Sequence, residues 1–260
     1  MSKDPDKKDP DEGSMTLWEH LDELRGRMVK MILFFAIGVV VSWLYKETLL
    51  GFLTQPYVAA GGKSLHFPAP AALFLSYIRL SALAGLVVAL PVILYQIWAF
   101  IAPGLYSREK RFAVPFVVCS FALFTLGSYF CWKVAAPVAF DFLLNFRGNI
   151  PGGLVLQDTV MVNDYIEFVS HMFLAFGLAF EMPVLVFFLA IAGLVTHKHM
   201  IKFFRYFIVI AFVVAAVLTP PDPLSQLLLA IPLCLLYAIS IGVAWIFARR
   251  RETPETADAE

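Results

Sequence analysis

The run AFGLAFEMPVLVFF, residues 175–188, holds one carboxyl, Glu181, and one proline, Pro183, in an otherwise apolar stretch. If the run crosses a membrane, an ionised acid at its centre costs about 2.5–3.5 kcal/mol on insertion scales. Glu181 must then be protonated, paired, or turned toward a water-filled hollow. Pro183 has no N–H, so it leaves the carbonyl of Ala179 without its donor four residues on and bends the helix at the same depth. Two readings follow: a wet notch inside the membrane, or an interhelical hydrogen bond that holds the fold together. Gln226 is a candidate companion from the outer side, and Arg79 is another charge, near the outer end of the second span.

Two further acids stand near basic residues. Glu23 precedes Arg27 by four positions in WEHLDELRGRMVK, a spacing that pairs them on one helix face for a few tenths of a kcal/mol. Glu109 is the only acid among Arg108, Lys110 and Arg111, and taken alone it is simply neutralised by them. Cys119, Cys131 and Cys234 fall in apolar stretches with no CxxC pair and no histidine at ligand spacing, which reads as small core hydrophobes rather than a metal or redox site. The sequence holds no nucleophile–base pair, zinc ligand set or phosphate loop. We therefore expect neither an enzyme nor a cofactor.

These residues are carried by a chain that is 60% hydrophobic and 15% charged, with a mean hydropathy of +0.77, far outside soluble usage. Its apolar blocks approach or exceed the roughly 20 residues that cross a bilayer as helix. They are 28–45, 72–100, 112–132, 165–194, 206–218 and 224–247. The fold class expected is an all-α integral membrane protein with six transmembrane helices. The fifth block gives only about 20 Å of helix, which predicts little tilt and a thinned bilayer.

Net charge is zero, which predicts no nucleic-acid partner, but the distribution is informative. With six spans, fifteen of the 20 lysines and arginines fall on one side, against Lys46, Lys63, Lys133 and Arg147 on the other, with Arg79 inside the second span. That bias makes both termini and the loops near 101–111 and 195–205 cytoplasmic. Thr16 and Glu19 have the spacing of a capping box. From there Leu17, Trp18, Leu21, Leu24 and Met28 share one stripe, while Glu19, Glu23, Arg27 and Lys30 share another. This predicts an amphipathic interfacial helix running into the first span, its apolar side on the membrane and Glu23 facing the cytoplasm. Arg25 falls on the apolar side, between Trp18 and Leu21, where it either snorkels or meets a neighbouring segment. The domain reading is a disordered tail at 1–15, one membrane domain at 16–248 and a second tail at 249–260. No signal peptide opens the chain, because the charged start lacks an apolar core. No internal repeat is visible, against transporter folds made of duplicated halves. Asp222 followed by Pro223 reads as a helix N-cap with proline at N1, and Pro91, Pro115 and Pro232 as kinks.

Four strings carry a family resemblance. HLDELRGR enters span one, PVILYQIWAFIAPGLYSREKR ends span two, AFGLAFEMPV lies in span four, and LTPPDPLSQLLLAIP leads into span six. In this order, on six spans, the chain resembles the TatC family, the large subunit of the twin-arginine protein translocase, from about Thr16 to Phe247. The resemblance implies a receptor for the twin-arginine signal peptides of proteins exported already folded, located in the inner (cytoplasmic) membrane. It implies the single-span partners TatA and TatB, homo-oligomers in the receptor complex, and use of the proton-motive force. It also implies a signal-peptide site on the cytoplasmic face made of Glu23, Arg25, Phe100 and Glu109. His20 either orders that helix or is a solvated interfacial residue. Glu181 would lie on a concave, partly hydrated face, and Gln226 with the outer loop would be available to partners. The chemistry is consistent: a guanidinium is a planar fork that a carboxylate can hold by two hydrogen bonds, lysine offers no such fork, and two arginines call for two acceptors. The alternative is a proton-coupled small-solute transporter with Glu181 as proton carrier and Arg79 as substrate clamp. That protein would tolerate loss of Glu23 and Glu109.

Overall fold

The computed structural model describes residues 17–101, 113–145, 159–191, 193–219 and 222–249. Regular structure among them is helical, as a lipid-embedded backbone that must satisfy its own hydrogen bonds requires. The exception is one isolated bridge, where the His66 N–H donates to the Val160 carbonyl at 2.9 Å and the Val162 N–H to the His66 carbonyl at 2.7 Å.

In chain order the helices are α1 (Leu17–Leu44), α2 (Lys46–Leu53), α3 (Gln55–Ala59), α4 (Pro70–Ile101), α5 (Ala113–Phe130), α6 (Ala136–Asn145), α7 (Val162–Phe180), α8 (Met182–Ile191), α9 (His197–Leu218) and α10 (Pro223–Arg249). Five residues of π-helix, Cys131–Ala135, join α5 to α6. Six segments are long and apolar enough to span a bilayer: Leu21–Leu44, Pro70–Phe100, Pro115–Asn145, Val162–Ala190, His197–Leu218 and Pro223–Ile246. Six alternating crossings put Leu17 and Arg249 at one end of the bundle, here the terminal face.

Several sequence boundaries move. The fifth span is not short: α9 is 22 residues, about 33 Å, because the helix continues through Lys198, Lys202 and Arg205, whose side chains point outward and can snorkel. Its length therefore demands no thinned bilayer. The third span continues past Trp132 to Asn145: the π turn carries it through Lys133, and Pro137 falls in the first turn of α6, where a missing N–H is tolerated. Pro115 lies in the first turn of α5, where a missing N–H costs nothing, so it is not a kink. Pro91 and Pro232 do sit inside helices. Cys131 is fully buried, but Cys119 is exposed on its span and is no core residue. The amphipathic segment is continuous with the first span in α1.

Three packed clusters hold the bundle. At the face opposite the termini, Tyr57, Phe140 and Tyr165 pack ring on ring with Leu53 and Ile166, seating α2 and α3 against α6 and α7. In the middle, Cys131, Met172, Phe176, Ala215 and Leu229 join α7, α9 and α10. Toward the termini Tyr237 stacks on Phe207 and Phe204 and donates its hydroxyl to the Met200 carbonyl. Helix α8 ends there in a Schellman cap: the Leu194 N–H reaches the Leu189 carbonyl and the Gly193 N–H the Ala190 carbonyl, with Gly193 at φ 75°. At α10 the expected cap is present, Asp222 Oδ1 accepting the Ser225 N–H at 2.7 Å.

Candidate functional site

At the terminal face, Glu23 and Arg27 lie one turn apart on α1, in the acid-then-base order that favours pairing. Arg27 closes on a single carboxylate oxygen: Nη2 donates to Glu23 Oε1 at 2.6 Å and Nε to the same atom at 3.1 Å. Its Nη1 crosses to α4 and donates to Gln96 Oε1 at 3.3 Å. The other carboxylate oxygen, Glu23 Oε2, is buried and has no hydrogen-bond partner among the described residues. The two side chains are 26% and 19% exposed for Glu23 and Arg27, and Gln96 is buried. The seam between α1 and α4 thus holds a neutral ion pair with one acceptor left over.

Phe100 follows Gln96 by one helical turn and shares its face of α4. The last turns of α4 are fixed by Trp98, whose ring centroid lies 4.2 Å from Phe188 of α8 and 5.6 Å from Phe116 of α5. The structure therefore brings Glu23 to the end of α4 that carries Phe100. Arg25 is exposed and outside the ion pairs found among the described residues. His20 belongs to α1, but its side chain is not among those described, and Glu109 lies outside the described residues. Arg27 and Gln96 were not singled out from sequence as site residues. Arg27 figured only as the i,i+4 ion-pair partner of Glu23, and a glutamine in the apolar string LYQIWAF was the available signal for Gln96.

Glu181 is the single residue between α7 and α8, its backbone still in the α region (φ −72°, ψ −19°), one residue before Met182 and two before Pro183. Its N–H turns back to the Leu178 carbonyl at 3.1 Å, a three-residue closure that ends α7 before the proline. The carboxyl is half-buried, and Oε1 has no hydrogen-bond partner among the described residues. Ser120 of α5 lies beside it without reaching hydrogen-bonding geometry, its own Oγ also buried and unpartnered. Gln226 is not the companion: its Nε2 donates to the Phe212 carbonyl of α9 at 3.0 Å. The break between α7 and α8, the acid and two buried oxygens without partners among the described residues, Glu181 Oε1 and Ser120 Oγ, thus fall together. No interhelical hydrogen bond to the carboxyl is found among the described residues.

Arg79 is not a free clamp. Its Nη1 donates to Glu167 Oε2 of α7 at 2.7 Å, and the pair borders a cleft of about 510 Å³ with Phe35, Leu83, Ser170 and His171. The side chain offered as a substrate clamp thus already has a carboxylate partner on α7.

The family model described as "Sec-independent protein translocase protein (TatC)" matches residues 19–232. The chain belongs to the TatC family. A TatC of Desulforapulum autotrophicum is 38% identical over 244 residues, covering 93% of this chain and 88% of that one. The TatC of Aquifex aeolicus is also 38% identical over 244 residues, covering 94% and 100%. A crystal structure of the twin-arginine translocase receptor TatC superposes with a TM-score of 0.79 at 39% identity, over 89% of this chain and 100% of the other. The chain is thus a multi-pass membrane protein of a protein-translocase family. Glu23, Arg27, Gln96, Phe100, Glu181 and Gln226 all fall inside the matched stretch.

Proposed function

We propose that this TatC is the signal-peptide receptor and core scaffold of a twin-arginine translocase, exporting folded proteins across the inner (cytoplasmic) membrane at the expense of the proton-motive force. The observation that carries the reading is Glu23 Oε2: a carboxylate oxygen left open, at the mouth of α1 and α4, in a chain similar to a solved twin-arginine translocase receptor. The bias of lysine and arginine supports a cytoplasmic assignment for the terminal face, where signal peptides arrive. The apolar stripe of α1 supports an interfacial start to that helix: Trp18, Leu21 and Met28 are exposed, as a surface facing lipid headgroups would be. Glu109 supplies the second acceptor that a pair of arginines requires, with Arg25, Phe100 and His20 around the site. Membership of a translocase family supports single-span TatA and TatB partners and a receptor complex with more than one TatC copy. Glu181 and Gln226 serve the intramembrane face on which these partners act.

The test is binding of a signal peptide bearing Arg-Arg or Lys-Lys to the purified chain in detergent, with Glu23→Gln and Glu109→Gln variants alongside. The Arg-Arg peptide is expected to bind much better, and either variant to lose most of the difference. Equal binding of the two peptides to the unaltered chain refutes the receptor reading.

A further inference from the structure

From the way Arg27 holds Glu23, we infer that Arg27 and Gln96 are positioning residues for guanidinium recognition, setting Glu23 so that one oxygen is occupied and the other kept for the peptide. The inference rests on the receptor reading and deepens it. A free carboxylate rotates, so nothing fixes the direction from which an incoming guanidinium must approach it. Here the two donors of Arg27 converge on Oε1, at 2.6 and 3.1 Å, which stops that rotation. Oε2 is buried with no donor among the described residues. Arg27 is anchored in turn: its Nη1 is held by Gln96 Oε1, 69 positions away on α4, so the carboxylate is registered against the helix that carries Phe100.

This arrangement also excludes a simpler role for Arg27 as a stand-in that the peptide displaces. A stand-in for a bound arginine would span both oxygens side-on, as bidentate pairs do. Arg27 spans one, and its departure would break the contact with α4 as well. Because Arg27 already neutralises Glu23, the carboxylate contributes direction more than net charge. The incoming side chain must place an N–H on a fixed oxygen just below a quarter-exposed surface. A planar fork with spare donors does that while keeping its other N–H groups hydrated or paired elsewhere; an ammonium at the end of a flexible stem gains less from a fixed acceptor.

Two consequences separate positioning from bulk electrostatics or folding. Removing the charge of Arg27 unmasks Glu23, so attraction for any cationic peptide rises while selectivity falls. Removing the amide of Gln96 changes no charge, yet frees Arg27 and selectivity falls again.

The experiment measures affinities of the Arg-Arg and Lys-Lys peptides for the full chain in detergent, and the ratio between them, for the unaltered protein and for Arg27→Lys, Arg27→Gln, Gln96→Leu and Gln96→Glu. Arg27→Lys keeps the charge but cannot close two donors on one oxygen; it is expected to lower the ratio about tenfold, the effect of one charge-assisted hydrogen bond. Arg27→Gln is expected to lower it equally while tightening Lys-Lys binding. Gln96→Leu lowers it with the Lys-Lys affinity unchanged, and Gln96→Glu, which still offers Arg27 an acceptor, retains it. Size-exclusion profiles and melting curves identify any variant that does not fold, and Gln96→Leu, nearly isosteric and charge-neutral, then decides the matter alone. An unchanged ratio in folded Arg27→Lys or Gln96→Leu overturns the inference. So does an equal loss of both peptides, which marks a structural role. A ratio of one in the unaltered chain is a different failure, that of the receptor reading itself.

Discussion

Gly38 and Gly85 bring the backbones of α1 and α4 into direct contact: a Cβ on Gly38 would lie 2.5 Å from the Gly85 carbonyl oxygen, and one on Gly85 would lie 2.5 Å from the Val39 nitrogen. This close crossing sets the seam that ends at Arg27 and Gln96. In lipid, where burial of apolar surface gives helices little reason to associate, such contact between small residues is a main source of their packing.

The obstruction at either glycine is backbone, which cannot swing aside. Gly38→Ala and Gly85→Ala should each destabilise the detergent-solubilised protein by about 1–3 kcal/mol, read as a lower melting temperature, and weaken the Arg27–Gln96 contact. Gly242→Ala is the control. A Cβ there meets nothing within 4 Å, and helix propensity favours alanine by up to about 1 kcal/mol. Equal melting temperatures for Gly85→Ala and Gly242→Ala would show that α1 is not seated as described.

At the opposite face, Tyr165 donates its hydroxyl to the Leu53 carbonyl at 2.6 Å inside a buried cluster. Phenylalanine keeps the stacking on Phe140, whose centroid is 5.2 Å away, but leaves the carbonyl at the end of α2 unpaired. Tyr165→Phe should lower stability by about 1–3 kcal/mol without altering Arg-Arg selectivity. A loss of selectivity in this variant would couple the two faces, which the separate clusters argue against.

Sequence reading succeeded where the signal is local. Six apolar blocks gave six spans because length and composition govern insertion, and Glu23 with Arg27 was legible because four positions on a helix make neighbours. It failed at helix ends. Lys198, Lys202 and Arg205 resemble a loop in composition, yet a helix can project long basic side chains to the interface, so α9 runs on. The third apolar block ended at Trp132, before Lys133, but a π turn carries the chain through. Gln96 was invisible as a partner because 69 positions separate it from Arg27, and Arg79 with Glu167 because 88 do. Only the packing of α4 against α1 and α7 makes those pairs.

Arg79 and Glu167 are each more than half exposed to the surroundings of the protein, at 55% and 53%. If water fills the adjoining cleft, their coupling is that of a surface pair, below about 1 kcal/mol. A double-mutant cycle with Arg79→Gln and Glu167→Gln, read by thermal unfolding, should return a value in that range. Reversal of one charge alone should cost more than exchange of both. A coupling of several kcal/mol would place the pair in a dry, low-dielectric setting and make it a principal tie between α4 and α7.

Glu181 lies nine residues before Ala190, where the fourth span ends toward the termini, or about 14 Å along a helix, close to half the roughly 30 Å of hydrocarbon. At that depth an acid without a hydrogen-bond partner on Oε1 is a liability unless water or a partner reaches it. It shares no hydrogen bond with the Glu23, Arg27 and Gln96 seam, so its role should be separable from peptide recognition. Glu181→Gln, which keeps size and hydrogen-bonding capacity but removes the titratable charge, is expected to bind Arg-Arg peptide normally and to export a folded reporter several-fold more slowly from cells. Glu181→Leu should also bind peptide and should export less still, because it makes the interruption between α7 and α8 apolar. Normal export through Glu181→Leu would reduce the residue to a tolerated interruption of the helix.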